Sequence, residues 1–253
     1  MALDLAGGVD RFVGDQAGLA ASFGRALDTL YVVYQPIVSF SQKKVVAYEA
    51  LLRSREPSLP YPGAMLDAAE RLGRVHDLGR TIRTKALEPL PLLAPDVDLF
   101  LNLHPLDLHD ESLFDAKSPL ATAANRVVLE MTERASLDDL HDVRSRVEAL
   151  REIGFRLALD DLGAGYAGLT SFALLEPDVV KLDMALVRGL DLEPRKRTLV
   201  RTMISMCREL GIVVTGEGIE TEGERDELAR AGCDLMQGYL FARPGDAFPS
   251  PSF

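Results

Sequence analysis

The chain has 253 residues, 47% of them hydrophobic, with a formal net charge of -11 and a sequence pI of about 4.9. A chain of this length can bury one sizeable core, and α/β barrels of about 250 residues are single domains. The acidic balance excludes a non-specific grip on a nucleic acid polymer, which needs a basic surface. It leaves room for a phosphate-bearing small molecule, because local cations or metal ions override the global sign.

In chain order, residues 1–16 read as a linker or remnant, and residues 17–30 as an amphipathic helix capping the barrel that the later elements form. Two β-rich runs come next, YVVYQPIVS (31–39) and VVAYEALLR (45–53). Only FSQKK separates them, too short for the dozen or more residues of a crossover, so they are expected to form an antiparallel hairpin. A helical stretch runs from PGAMLDAAERLGR to Leu90. The strand LFLNLHP (99–105) follows, then VVLEMTE (127–133). SLDDLHDVRSRVEALREIG (136–154) opens with a serine cap and an acidic turn and closes on glycine, as a helix does. RLALDD (156–161) and VVKLD (179–183) are strands, EPRKRTLVRTMISMCRELG (193–211) a helix, and VVTGEGI (213–219) a strand. TEGERDELARAG (221–232) is a helix capped by Thr221, and LMQGYLF (235–241) the eighth strand. From the third strand on, the runs are mostly continuous apolar residues, the mark of strands covered on both faces. Eight strands alternating with helices predict an α/β fold: a modified (β/α)8 barrel of the TIM type, with one strand antiparallel.

The two cysteines, Cys207 and Cys233, match no zinc-site spacing and read as core thiols in a reducing compartment. No apolar run approaches the roughly 18 residues of a membrane span. MALDLAGGVD lacks the basic start of a signal peptide, so a cytoplasmic protein is expected.

Polar residues collect at the strand ends: Glu49, Asn102, Glu130 with Glu133, Asp160 with Asp161, Lys181 with Asp183, Glu217 with Glu220, and Gln237. Strand ends are polar in any protein, because loops begin there. That reading does not explain why so many are acidic or amide, or why several sit between apolar flanks (FLNLH, VLEMT, TGEGI). A barrel gathers these ends in one ring, where such enzymes keep their active sites. Carboxylates and an amide oxygen are hard ligands, which disfavours zinc and favours two Mg²⁺ or Mn²⁺ ions, the usual device for phosphodiester hydrolysis. Alternation sends the adjacent Asp160 and Asp161 to opposite faces. If the strand stops there, both can turn toward the metals, whose charge would offset their repulsion. Lys181 would orient or deprotonate a water. His104 alternates with Asn102 but precedes Pro105 and reads as packing or solvent-facing. His76, His109 and His141 read as surface.

YQPIV, EALLR, NLHP, LEMTE, DDLGAGY, VKLD, GEGIET and QGYLFARP occur in this order, and the chain resembles the EAL family of bacterial cyclic di-GMP phosphodiesterases from about Phe23 to Pro244. The resemblance implies one domain over residues 17–253, metal-dependent hydrolysis of cyclic di-GMP to linear pGpG, and a homodimer. It implies that Glu49, Asn102, Glu130 and Asp160 bind one metal, and that Asp161 binds the other with Asp160 bridging. Glu217 supports metal or water, and Lys181 and Gln237 hold the nucleophilic water. Gln35, Arg53 and Asp183 contact substrate, Arg53 through its forked donors. Glu133 braces the loop after the aspartates. The loop departs from the family's common DDFGTGYSSL at Leu162, Ala164, Ala167 and Gly168, and Gly216 replaces a common alanine. No proposed ligand is missing. An enzyme is the leading expectation, and a cyclic di-GMP receptor with little turnover the alternative. A protein-interaction scaffold, which needs no acidic ring, ranks last.

Overall fold

A computed structural model describes residues 6–132, 142–163 and 168–253. Its described strands are β1 (Tyr31–Ser39), β2 (Lys44–Arg53), β3 (Asp98–Asn102), β4 (Val127–Thr132), β5 (Arg156–Leu162), β6 (Val179–Leu182), β7 (Val213–Gly216) and β8 (Leu235–Met236). They close into a barrel in sequence order. From β2 to β8 every pairing is parallel, whereas β1 meets β8 antiparallel, with Val38 opposite Met236. The expected barrel with one reversed strand is therefore observed. Its cause is the short turn after Ser39, which returns the chain at once. Asp234 ties that turn to the start of β8, accepting from Ser39 Oγ at 2.6 Å and from the Ser41 amide at 2.8 Å.

The helices are α1 (Ala6–Thr29), α2 (Pro62–Arg71), α3 (Val75–Leu87), α4 (Pro119–Thr122), α5 (Val143–Ile153), α6 (Gly168–Leu175), α7 (Met184–Val187), α8 (Pro194–Glu209) and α9 (Glu222–Ala231). No described helix is long and apolar enough to cross a membrane. Several boundaries differ from the sequence expectation, each for a local reason. The N-terminal helix begins at Ala6 and not at residue 17. The stretch from Pro62 to Leu90 breaks into α2 and α3 at Gly73 (φ 63°), where the Gly73 amide bonds to Glu70 and the Arg74 amide to Ala69, the paired bonds of a glycine-terminated helix. β3 stops at Asn102 because His104 and Pro105 start a 3₁₀ turn, His104 Nδ1 accepting from the Leu106 amide. β8 stops at Met236 because the chain turns at Gly238, whose carbonyl accepts from the amides of Phe241 and Ala242. Of the helix expected over 136–154, the part before Asp142 lies outside the described residues. α9 keeps its expected start, a capping box between Thr221 and Glu224.

The chain divides into two compact units, residues 1–32 with 52–85, and residues 33–51 with 86–253. The first unit packs Phe23, Ala26 and Leu30, three to four residues apart, against Met65, Ala68 and Ala69 of α2 and Val75 and Leu78 of α3. Its buried carboxylate, Glu56, accepts from Arg25 at 2.9 and 3.0 Å and from Ser58 at 2.6 Å, which holds it ionised with a pKa of about 2. In the second unit the barrel interior begins with an apolar layer of Ile37, Ala47, Phe100, Val128, Ala158 and Val179. The larger Ile37, Phe100, Val128 and Val179 pack with the small Ala47 and Ala158, so side chains fill the layer.

Candidate active site

Two residues toward the mouth from each member of that apolar layer, on the same face of the same strand, stands a polar residue. Gln35 answers Ile37, with the step reversed because β1 is reversed. Glu49 answers Ala47, Asn102 Phe100, Glu130 Val128, Asp160 Ala158, and Lys181 Val179. Glu217 follows β7 and Gln237 follows β8. Strand periodicity and barrel closure together bring these residues into one cluster.

Lys181 is its centre. The side chain is fully buried, and its Nζ lies 2.6 Å from Glu217, 2.8 Å from Glu130, 3.2 Å from Glu49 and 3.4 Å from Asp160. Burial alone would strip its proton, but the four carboxylates hold its pKa well above that of a free lysine. The carboxylates divide. Burial raises Glu130 well above the ordinary range and raises Glu217 to about 8, with Lys181 opposing both shifts. Glu49 is lowered despite its burial, because it gains Lys181 and also accepts from Gln237 at 2.7 Å and from Asn102 at 3.2 Å. Gln237 donates as well to Gln35 Oε1 (3.2 Å), and Gln35 donates to the Ala242 carbonyl (3.1 Å), so an amide relay runs from β1 through β8 to Glu49.

Asp160 and Asp161 reach the site differently from the sequence expectation. The strand does not stop at them. Leu159 pairs with Val180 and Leu162 with Leu182, so three steps on β5 oppose two on β6. Such an extra residue is a β-bulge. Asp161 takes it up in the left-handed region, φ 58°, a conformation aspartate tolerates better than most residues. One oxygen each from Asp160, Asp161 and Glu217 then lies within 4.8 Å of the others. Glu130 Oε1 and Asp160 Oδ1 meet Lys181 as ion pairs without an aligned hydrogen bond, and Gln237 Oε1 has no hydrogen-bond partner. A surplus of buried oxygen donors, hard and mostly anionic, fits a divalent cation of the Mg²⁺ or Mn²⁺ class.

Above the ring opens a cleft of about 240 Å³. Gln35, Glu49, Asp161, Asp183, Glu217 and Gln237, all named from the sequence, line it. Asp183 also caps α7, accepting from the Ala185 amide at 2.8 Å. Arg53 ends β2 in the first unit and donates to the Leu52 carbonyl at 2.7 Å. Glu133 and the loop at 164–167 lie outside the described residues.

The sequence reading missed Met184 and Tyr239, which line the cleft half-exposed, Tyr239 with the Arg243 guanidinium 4.3 Å from its ring centre. The signal for Tyr239 was its neighbour. A Cβ at Gly238 would fall 2.1 Å from the Ile219 carbonyl oxygen, so glycine is required where the two strand-end loops cross.

The EAL domain family model matches residues 20–244. The chain belongs to this family. Among curated proteins, the EAL domain is 30% identical over 220 residues to the cyclic di-GMP phosphodiesterase RocR of Pseudomonas aeruginosa, covering 83% of this chain and 56% of RocR. Other curated relatives are longer still, and the chain spans 27–37% of their length. Among solved structures it is similar to the PaMucR phosphodiesterase in complex with c-di-GMP (27% identity, TM-score 0.80, 91% of this chain and 98% of that one). It is also similar to the Klebsiella pneumoniae BlrP1 manganese and cyclic di-GMP complex at pH 6 (32% identity, TM-score 0.75, 85% and 56%).

Proposed function

We propose that this EAL domain hydrolyses cyclic di-GMP to linear pGpG with two divalent ions, Mg²⁺ or Mn²⁺. The observation that carries the reading is the unbroken ring of oxygen donors around Lys181, in a family whose members named above act on or bind this nucleotide. Glu49, Asn102, Glu130 and Asp160 would hold one ion, and Asp161 with Asp160 the second. When bound, such ions polarise the phosphodiester and lower the pKa of an attacking water. The chain's own groups do the rest. Lys181 supplies counter-charge to the buried carboxylates and donates toward the water, Gln237 orients that water, and Glu217, once ionised, accepts its proton. Gln35 and Asp183 contact substrate from the cleft wall, and Arg53 of the EALLR motif is the candidate for a bidentate phosphate contact. Cytoplasmic location and a homodimer, the latter tested by molecular mass in solution, belong to the same reading.

The test is incubation of the pure protein with cyclic di-GMP and Mn²⁺ or Mg²⁺, followed by chromatography for pGpG. Product that disappears with a chelator supports the enzyme. Nucleotide bound but recovered intact with either ion would make the protein a receptor and overturn the hydrolytic reading.

A further inference from the structure

The hairpin that reverses β1 creates a structural gap. Elsewhere in such a barrel a crossover helix covers the outside of each strand pair. Between β1 and β2 the chain is only a turn, so the pair has no crossover helix of its own; from elsewhere in the chain, the Ala86 carbonyl accepts from Tyr34 Oη at 3.0 Å. Two tyrosines occupy the outer face of the pair. Tyr34 precedes Gln35 and Tyr48 precedes Glu49, so alternation points both tyrosines outward while their neighbours point into the site. Both are nonetheless buried.

The segment after the last strand covers them. Gly245 forms a two-bond antiparallel bridge with Tyr34 (2.8 and 3.0 Å). The Phe248 ring sits between the tyrosines, its centroid 4.9 Å from each, tilted 56° to Tyr34 and 50° to Tyr48. Tyr48 Oη donates to the Pro249 carbonyl at 3.1 Å. Phe248 holds a left-handed backbone, φ 64°, which a bulky residue adopts only where its surroundings fix it. The same segment touches the site from within, since the Ala242 carbonyl accepts from Gln35.

We propose that the C-terminal segment 242–249 is the buttress that sets Gln35 and Glu49, with Phe248 as its positioning residue. Wedged between the strands' outer side chains, Phe248 fixes the spacing and twist of β1 against β2. The inward neighbours then meet at the distances that let Gln237 bridge Gln35 and Glu49. This rests on the proposed role of Glu49 as a metal ligand for its consequence, but not for its geometry.

Three variants test it: Phe248→Ala, Phe248→Tyr, which keeps the ring, and Phe253→Ala. Phe253 lies further along the same tail, against Phe241 and Lys43. Mn²⁺ affinity is read by calorimetry without nucleotide, and the side-chain amide resonances of Gln35 and Gln237 by NMR without metal. Phe248→Ala is expected to weaken Mn²⁺ about tenfold and to shift both amide resonances, with Phe248→Tyr and Phe253→Ala within twofold and unshifted. If Phe248→Ala unfolds, Phe248→Leu replaces it, with the same direction expected. Unshifted amides in the Phe248 variant, or equal effects in Phe253→Ala, overturn the proposal. If the wild-type protein takes up no Mn²⁺, the metal reading fails, and the amide resonances alone decide the buttress.

Discussion

On six strands the barrel interior changes character over two residues. The apolar layer of Ile37, Ala47, Phe100, Val128, Ala158 and Val179 is held by burial, worth roughly 25 cal/mol per Å² of apolar surface, and needs nothing from outside. The layer above it, at the same depth of burial for Glu130 and Lys181, carries charge that is costly to desolvate and is balanced only in part by a single ammonium. One backbone thus supports a layer that stabilises it and a layer that draws on that stability. The lesson is that the lower layer is an ordinary core, whereas the upper one gathers four carboxylates on a single buried lysine.

Replacing Phe100 by alanine should cost about 4 kcal/mol of stability through the cavity it leaves. Denaturant melts should give the same loss with Mn²⁺ and with a chelator. Lys181→Met should cost about 3 kcal/mol in the chelator, because buried carboxylates lose their counter-charge. Mn²⁺ should restore most of it. A loss indifferent to metal, as for Phe100, would erase the distinction between the layers. Asp160→Asn should lower turnover about 100-fold, near 2.7 kcal/mol at 1.36 per tenfold, with an unchanged melt in the chelator. Near-normal turnover at limiting metal would remove Asp160 from the ligand set.

The smallest expected effect is on pH dependence. Glu217, raised to about 8, keeps its proton in the folded metal-free protein between its ordinary value near 4.5 and pH 8, where the unfolded chain has lost it. The metal-free protein should therefore lose stability as pH rises through that window. Because an ion needs the carboxylate, apparent Mn²⁺ affinity should move the other way. It should rise about fivefold, roughly 1 kcal/mol, from pH 7 to pH 8, with proton release measurable by calorimetry in buffers of different ionisation enthalpy. A flat profile would mean Glu217 stays outside the metal's reach.

The barrel and its reversed strand were legible because both rest on local signals: continuous apolar runs and a connection too short to cross over. The ring was legible because strand alternation and closure act together on residues whose types are visible. Arg53 was read from a motif alone. What escaped depends on contacts distant in sequence. Nothing in GDAFPSPSF announces that Phe248 will fill the gap beside the hairpin, and Gly238 marks a close crossing of loops without telling that Tyr239 beside it lines the cleft. Strand β8 was read five residues too long because the apolar run LMQGYLF continues past Gly238 while its ladder ends at Met236.

The bulge in β5 is a slip of half a period. Before it, odd-numbered residues such as Leu159 face outward; after it, even-numbered Leu162 does, paired with Leu182 and buried with it. Counted without the slip, Leu162 would point its isobutyl group into the cleft beside two aspartates. The strand therefore encodes its inside and outside by length as well as by identity. Exchanging one letter at 160–162 leaves the phase intact. Removing Asp161 would cancel the slip: plain alternation would still turn Leu162 outward opposite Leu182, and the mouth would lose the second of its two adjacent carboxylates.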